Sequence, residues 1–260
     1  MKPKVLVLTG YGINCDFETE FAFKLAGASA QRVHLNDIID NRARFEDFQI
    51  LAIPGGFSFG DDIASGKVLA NKLKYNLWPE LQRFMNDGKL IIGICNGFQA
   101  MVRLGLLPAF EQNYGVQATT LTFNDSGRFE ARWVYLKINP DSPCIFTKGI
   151  EKIYLPVRNG EGKFIPRDDI VRQRLWHNRH VVLQYVDAQG SFADYPWNPN
   201  GSVDSIAGIC DETGRVFGLM PHPEAFIFST NHPRWTRENL DRGEGLAIFS
   251  NAVQWVKDNL

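Results

Sequence analysis

A chain of 260 residues, 44% of them hydrophobic and with 28 Lys+Arg against 29 Asp+Glu, has material for an ordinary globular core and excludes intrinsic disorder. Its net charge of -1 gives no general attraction to nucleic acid or to an anionic membrane. The opening "MKPKVLVLTGYG" holds an apolar run too short for a secretory leader or a bilayer span, and four scattered cysteines form no CxxC pair. The expectation is a cytoplasmic protein with free thiols and no structural zinc.

"KVLVLTG" predicts the first strand. A helix follows, capped at Asn14, with Asp16 and Glu18 in its first turn, Phe17, Phe21 and Leu25 along an apolar face, and Gly27 as its stop. "QRVHL" and "QILAIPGG" predict two further strands, and a helical region from Lys67 to Asp87, restarted at Pro79, leads into a fourth, "KLIIGIC". Strands alternating with helices predict a parallel sheet flanked by helices. Beyond residue 115 the pattern turns β-rich, with "ATTLTFN", "FEARWVYLKI", "KIYLPV" and "VVLQYVD". "SIAGICDETGRVFGLMPHPE" predicts a hairpin that turns at Asp211 to Gly214 and ends in "PHPE". The stretch from Ala225 to Gly243 lacks a clear period, and a closing helix places Leu246, Phe249, Val253 and Val256 toward the core. The fold class expected is α/β: a mostly parallel central sheet with flanking helices and an additional β-rich segment, in a single domain over residues 1–260.

Chemistry concentrates at three places. Gly93-Ile94-Cys95-Asn96-Gly97 is a G-x-nucleophile-x-G pattern with cysteine at its centre, at the join of a strand and a helix. Glycines on either side let so sharp a turn pack against its neighbours, and the helix N-terminus favours thiolate over thiol. A buried structural cysteine is the alternative, and the flanking glycines weigh against it. In "MPHPE", His222 can take the thiol proton, and Glu224, two residues on in an extended segment, can hold the imidazole. His34, His177, His180 and His232 suit structural or solvated roles better. Gly55 and Gly56, just after a strand, can aim a backbone N–H at a developing oxyanion, and the N–H of Asn96 supplies a second donor. Cys144 and Cys210 read as small core residues, and Cys15, beside a helix start, could be reactive by the same dipole argument but lacks a base encoded near it in sequence.

These residues together resemble the class I, or triad, glutamine amidotransferases: Cys95 in "GICNGFQ", His222 and Glu224 in "MPHPE", and "PGGFSFGD". More narrowly, "NCDFETEFAFKLAGA", "GGFSFGD", "GICNGFQAMVRLGLLP", "NPNGS" and "GLMPHPE" are similar to the glutaminase subunits of phosphoribosylformylglycinamidine synthase in de novo purine biosynthesis. The resemblance implies a class I amidotransferase-like fold and glutamine hydrolysis through Cys95, His222 and Glu224. It also implies an oxyanion hole from the N–H groups of Gly56 and Asn96, and Gln99 as a contact to the substrate glutamine. A surface glutamine is the other reading of Gln99.

The same resemblance implies a partner, the formylglycinamidine ribonucleotide synthetase subunit, which uses ATP and Mg and receives the ammonia, with a small bridging subunit as a third component. No Walker-type "GxxxxGK[ST]" occurs, so ATP chemistry is assigned to that partner, with no cofactor or metal in this chain. A glutaminase that serves another acceptor synthetase, and a non-catalytic regulatory subunit on the same fold, are the competing readings. The chain departs from the family at "VRNGEG", where Arg158 and Asn159 stand in place of a small residue and a histidine.

Overall fold

The structure, a computed structural model, describes residues 2–238 and 240–260. The alternation read in the first half is present as β1 (Lys4–Thr9), α1 (Asp16–Leu25), β2 (Ser29–His34), α2 (Leu35–Ile39), β3 (Ile50–Ile53), α3 (Lys67–Asn86), β4 (Leu90–Ile94) and α4 (Asn96–Leu104). Then come β5 (Thr119–Thr122), β6 (Glu130–Ile138), β7 (Lys152–Asn159), β8 (Lys163–Pro166), α5 (Asp169–His177), β9 (Val181–Val186), β10 (Ile206–Cys210), β11 (Val216–Leu219) and α6 (Leu246–Asn259). The main sheet has nine strands in the order β2-β1-β3-β4-β11-β10-β9-β6-β7. Strands β2, β1, β3, β4 and β11 pair in parallel, and the run from β11 to β7 is antiparallel. β5 leaves this sheet to form a separate two-stranded ribbon with β8.

Strands β3, β4 and β11 are buried along their whole length and read as unbroken apolar runs, as strands covered on both faces do. Because these three are parallel neighbours, their carboxyl ends open on one crevice, the place where open α/β sheets bind ligands. The expected hairpin is β10–β11. Asp211 Oδ1 accepts the Val216 N–H at 3.1 Å across its turn, and Gly214 takes φ +69°.

Several expectations need correction. The N-cap of α1 is Cys15, not Asn14. The apolar face expected from Phe17, Phe21 and Leu25 points outward, with Phe17 63% exposed, while Asp16, Thr19, Ala22 and Phe23 are buried. The cause is tertiary: Phe23 meets Phe249 of α6 edge to face at 4.9 Å, which fixes the inward side, and Phe17 instead lies under the Arg32 guanidinium at 3.4 Å. α3 does not restart at Pro79; it is continuous with the proline inside it. The ring removes the hydrogen bond to the Tyr75 carbonyl, on a helix face where Tyr75 is 81% exposed.

Leu35 does not belong to the second strand but opens α2, where His34 Nδ1 accepts the Asn36 N–H at 3.1 Å. His177 ends a helix, α5, which Asp168 caps by accepting the Val171 N–H at 2.8 Å. In α6, Phe249, Val253 and Val256 face the core as expected. The aperiodic stretch after Glu224 is a loop with short 3-10 turns, and Asn239 within it lies outside the described residues.

Candidate active site

Cys95 sits between β4 and α4 at φ +51°, ψ −107°, a strained conformation for a residue with a side chain. The flanking glycines are a packing requirement. A Cβ on Gly97 would lie 1.8 Å from the Ile53 carbonyl oxygen, and one on Gly93 would lie 2.3 Å from Met101 Sδ. The Cys95 N–H donates to the Leu219 carbonyl at 2.8 Å, tying the turn to the strand that leads into His222. From the other side the His222 N–H donates to the Pro156 carbonyl of β7 at 2.8 Å.

His222 Nδ1 and Glu224 Oε1 are 2.5 Å apart, and both residues are buried. Burial alone would push the imidazole down, but the Glu224 carboxylate, and after it Cys95, outweigh burial and hold its pKa well above the ordinary histidine value. Nδ1 is therefore committed to Glu224. Nε2 has no aligned hydrogen bond among the described residues, although both the Cys15 and the Cys95 thiols lie against the ring. Arg158 brings its guanidinium to 3.7 Å from Glu224 Oε1, and its carbonyl oxygen lies 3.8 Å from Cys95 Sγ. The arginine that departs from the family pattern thus touches both ends of the constellation.

The glycine turn after β3 closes over the same point. A Cβ on Gly55 would stand 2.8 Å from His222 Cε1 and 3.4 Å from Cys95 Cβ, so only glycine lets the imidazole this close. Gly56, at φ +144°, is boxed by Gly12 and Asn14. The N–H groups of Gly56 and Asn96 donate to no acceptor among the described residues.

Asn96 also works through its side chain, which donates to Asp61 Oδ1 at 3.0 Å and to Gln99 Oε1 at 2.9 Å and accepts the Ser58 N–H at 3.1 Å. Burial, with a smaller contribution from the Glu161 charge, pushes the Asp61 carboxyl above its usual range against hydrogen bonds from Ser65 and Asn96. Gln99 is buried, not a surface glutamine, and its amide N–H donates to the Glu161 carbonyl at 2.5 Å. The Nε2 end of that amide thus ties α4 to the loop at Gly160–Gly162, while its Oε1 end is taken by Asn96 of the same helix. Asn159, in place of the family's histidine, is buried and accepts from Asn200 Nδ2 at 2.7 Å; Asn200 in turn accepts from the Tyr185 hydroxyl at 2.9 Å.

Sequence reasoning noted Arg158 only as a departure from the family pattern and Cys15 only as a thiol without a base, and placed neither at the site. Cys15 Sγ, a His222 ring nitrogen and a Glu224 carboxylate oxygen all lie within 4.8 Å of one another, so the base that Cys15 lacks in sequence is supplied by the fold. The other histidines stand apart from this cluster, and His180 is fully buried with Nδ1 2.7 Å from the Cys210 carbonyl oxygen. A cavity of about 890 Å³, lined by Lys137, Trp176, Phe192 and Asp204, shares no residue with the site. No helix among the described residues is long and apolar enough to cross a membrane.

A strained cysteine elbow facing a buried histidine–glutamate pair, at the carboxyl ends of neighbouring parallel strands, defines the class of triad glutamine amidotransferases. Residues 2–256 match the family of CobB/CobQ-like glutamine amidotransferase domains. The phosphoribosylformylglycinamidine synthase subunit PurQ of Dehalococcoides mccartyi is 48% identical over 98% of this chain and 98% of its own. That of Archaeoglobus fulgidus is 41% identical over 98% and 97%. A chain in the structure of PurLQS from Thermotoga maritima superposes with a TM-score of 0.73 at 32% identity, covering 98% of this chain and 100% of that one. The chain belongs to the PurQ family, the glutamine amidotransferase subunits of phosphoribosylformylglycinamidine synthase.

Proposed function

We propose that residues 1–260 act as one glutaminase domain in which Cys95, His222 and Glu224 are the catalytic residues. Cys95 Sγ attacks the side-chain carbonyl carbon of glutamine. His222 holds the proton taken from the thiol and delivers it to the departing ammonia, while Glu224 fixes the ring and balances the imidazolium. The N–H groups of Gly56 and Asn96 stabilise the tetrahedral oxyanion. His222 then takes a proton from water, which opens the γ-glutamyl thioester and releases glutamate. Gln99 acts on the substrate by holding the Gly160–Gly162 loop, since both ends of its amide are engaged. The observation that carries this reading is the 2.5 Å His222–Glu224 pair, locked against the Cys95 elbow through β11.

The ammonia passes to a synthetase of the PurL type, which uses ATP and Mg to convert formylglycinamide ribonucleotide to formylglycinamidine ribonucleotide, with a small bridging subunit as a third component. The name PurLQS of the similar Thermotoga maritima assembly supports such partners. So does the apolar rim beside the site, where Phe57 and Phe129 pack at 6.5 Å and Ile63 is 85% exposed. Cys95 is only 5% exposed, which suits a site that opens when the partner docks. The test is glutamate release by wild type and Cys95→Ala, with and without synthetase, ATP and formylglycinamide ribonucleotide. Partner-stimulated release that vanishes in the variant is the expected result. Release that ignores the partner, or survives the substitution, refutes the reading.

A further inference from the structure

The "NPNGS" segment, residues 198–202, has no part in the reaction above, yet the fold seats it against the turn that follows Arg158. Asn200 is fully buried, and its Nδ2 donates to Asn124 Oδ1 and to Asn159 Oδ1, both at 2.7 Å. Its Oδ1 accepts the Tyr185 hydroxyl at 2.9 Å, so both ends of the amide are engaged. The segment is tied to itself as well. Asn198 Nδ2 donates to the Ser202 carbonyl at 2.9 Å, and Asn198 Oδ1 accepts the Ser202 N–H at 3.1 Å.

What this brace holds is the turn from Asn159 to Gly162. Asn124 reaches it three times: Nδ2 donates to the Asn159 carbonyl at 2.9 Å, the backbone N–H donates to the Gly160 carbonyl at 3.0 Å, and Oδ1 accepts the Gly162 N–H at 2.9 Å. Gln99 takes the Glu161 carbonyl, and Ser202 Oγ donates to the Gly162 carbonyl at 3.3 Å. Gly162 is pressed into the brace, since a Cβ there would lie 2.4 Å from Asn159 Oδ1 and 2.6 Å from Asn200 Nδ2. Every carbonyl of the turn is thus occupied, whereas the N–H groups of Gly160 and Glu161 donate to no acceptor among the described residues. They follow directly on Arg158, whose carbonyl oxygen lies 3.8 Å from Cys95 Sγ. Two such donors beside the nucleophile suit the α-carboxylate of a glutamine bound there.

We propose that Asn200 is a positioning residue for glutamine binding: with Asn124 and Ser202 it fixes the Asn159–Gly162 turn, whose free N–H groups take the α-carboxylate of the substrate. Asn200 touches no reacting atom, so its loss shows in KM and leaves the chemistry at Cys95 in place. The inference rests on the glutaminase reading, and the experiment separates the two.

Glutamate release is measured with synthetase, ATP and formylglycinamide ribonucleotide present, for full-length wild type, Asn200→Asp and Ser202→Ala. Asn200→Asp keeps the shape and turns two donor contacts into contacts between acceptors, and it is expected to raise KM for glutamine about 10- to 100-fold. Ser202→Ala deletes one hydroxyl and is expected to raise KM about three- to ten-fold. In both variants kcat stays within about three-fold of wild type, and alkylation of Cys95 by iodoacetamide, a reagent without an α-carboxylate, within about two-fold. An unchanged KM in folded Asn200→Asp or in Ser202→Ala overturns the inference while the glutaminase reading stands. KM, kcat and alkylation that change together with the urea midpoint mark a purely structural role and overturn it too. Wild type that releases no glutamate overturns the glutaminase reading and this inference with it. Ser202→Ala removes less than Asn200→Asp, so it decides the matter if Asn200→Asp fails to fold.

Discussion

Gly97→Ala tests whether the elbow's position against β3, beyond the presence of its thiol, sets the activity. The added methyl would lie 1.8 Å from the Ile53 carbonyl oxygen, 2.7 Å from the Ile53 carbonyl carbon and 3.1 Å from the Pro54 carbonyl oxygen. These are backbone atoms of a buried strand and cannot swing aside. To restore even a 3.0 Å contact, α4 must move away from β3 by about 1.2 Å. Overpacking of this kind costs about 1–3 kcal/mol of stability. The larger effect is on chemistry, because Cys95 rides on α4 while Gly55 and Gly56 stay with β3, and a misplacement of about 1 Å costs about 10²-fold in rate. Glutamate release and urea denaturation are measured on Gly97→Ala beside Gly10→Ala, whose methyl would meet nothing closer than 3.8 Å. Gly97→Ala activity within about two-fold of the Gly10→Ala control would refute the packing argument.

Glu224→Gln keeps the shape of the His222 partner and removes the charge that balances the imidazolium, so kcat is expected to fall about 10²- to 10⁴-fold with the fold unchanged by circular dichroism. Phe23→Ala, at the contact with Phe249, is expected to cost about 3–5 kcal/mol in urea denaturation. Phe17→Ala is expected to cost only about 0.5–1 kcal/mol, the worth of an exposed cation–π contact, and equal losses at the two positions would restore the outward-facing residues as the packing face. His180 gives a pH signature: burial pushes its ring below the ordinary histidine value, so below about pH 6.5 the unfolded chain binds a proton that the native state refuses. Stability therefore falls with pH from there, by up to about 1.4 kcal/mol per unit, until the native ring protonates. His180→Gln is expected to remove that part of the slope between about pH 6.5 and 5, and identical slopes in the two proteins would contradict it.

What could be read ahead of the structure was local. Glycines around Cys95 and the titratable pair in "PHPE" follow from geometry and chemistry within a few residues, and the β10–β11 turn follows from Asp211 and Gly214 in the same way. Phe17, Phe21 and Leu25 mislead because their spacing imitates a buried stripe, whereas the inward side of α1 is set by Phe249, distant in sequence. The approach of Cys15 to His222 is illegible for the same reason: it needs the Ile13–Gly56 bridge and a missing side chain at Gly55. Asn159 reads as a departure in the sequence, but in the fold it joins Asn124, Asn200 and Tyr185 in a buried amide network. Its carbonyl accepts from Asn124 Nδ2 at 2.9 Å, a contact that only the strand arrangement creates.

The central claim is that Cys95 carries the glutamyl group, and it is tested most directly by treating the chain, with its synthetase partner present, with a diazoketone analogue of glutamine and mapping the label by peptide mass. One label per chain on Cys95, blocked by excess glutamine and slowed in His222→Asn, is the expected result. Glutamate release from a protein that labels at Cys15, or that carries no label at Cys95, would contradict the account.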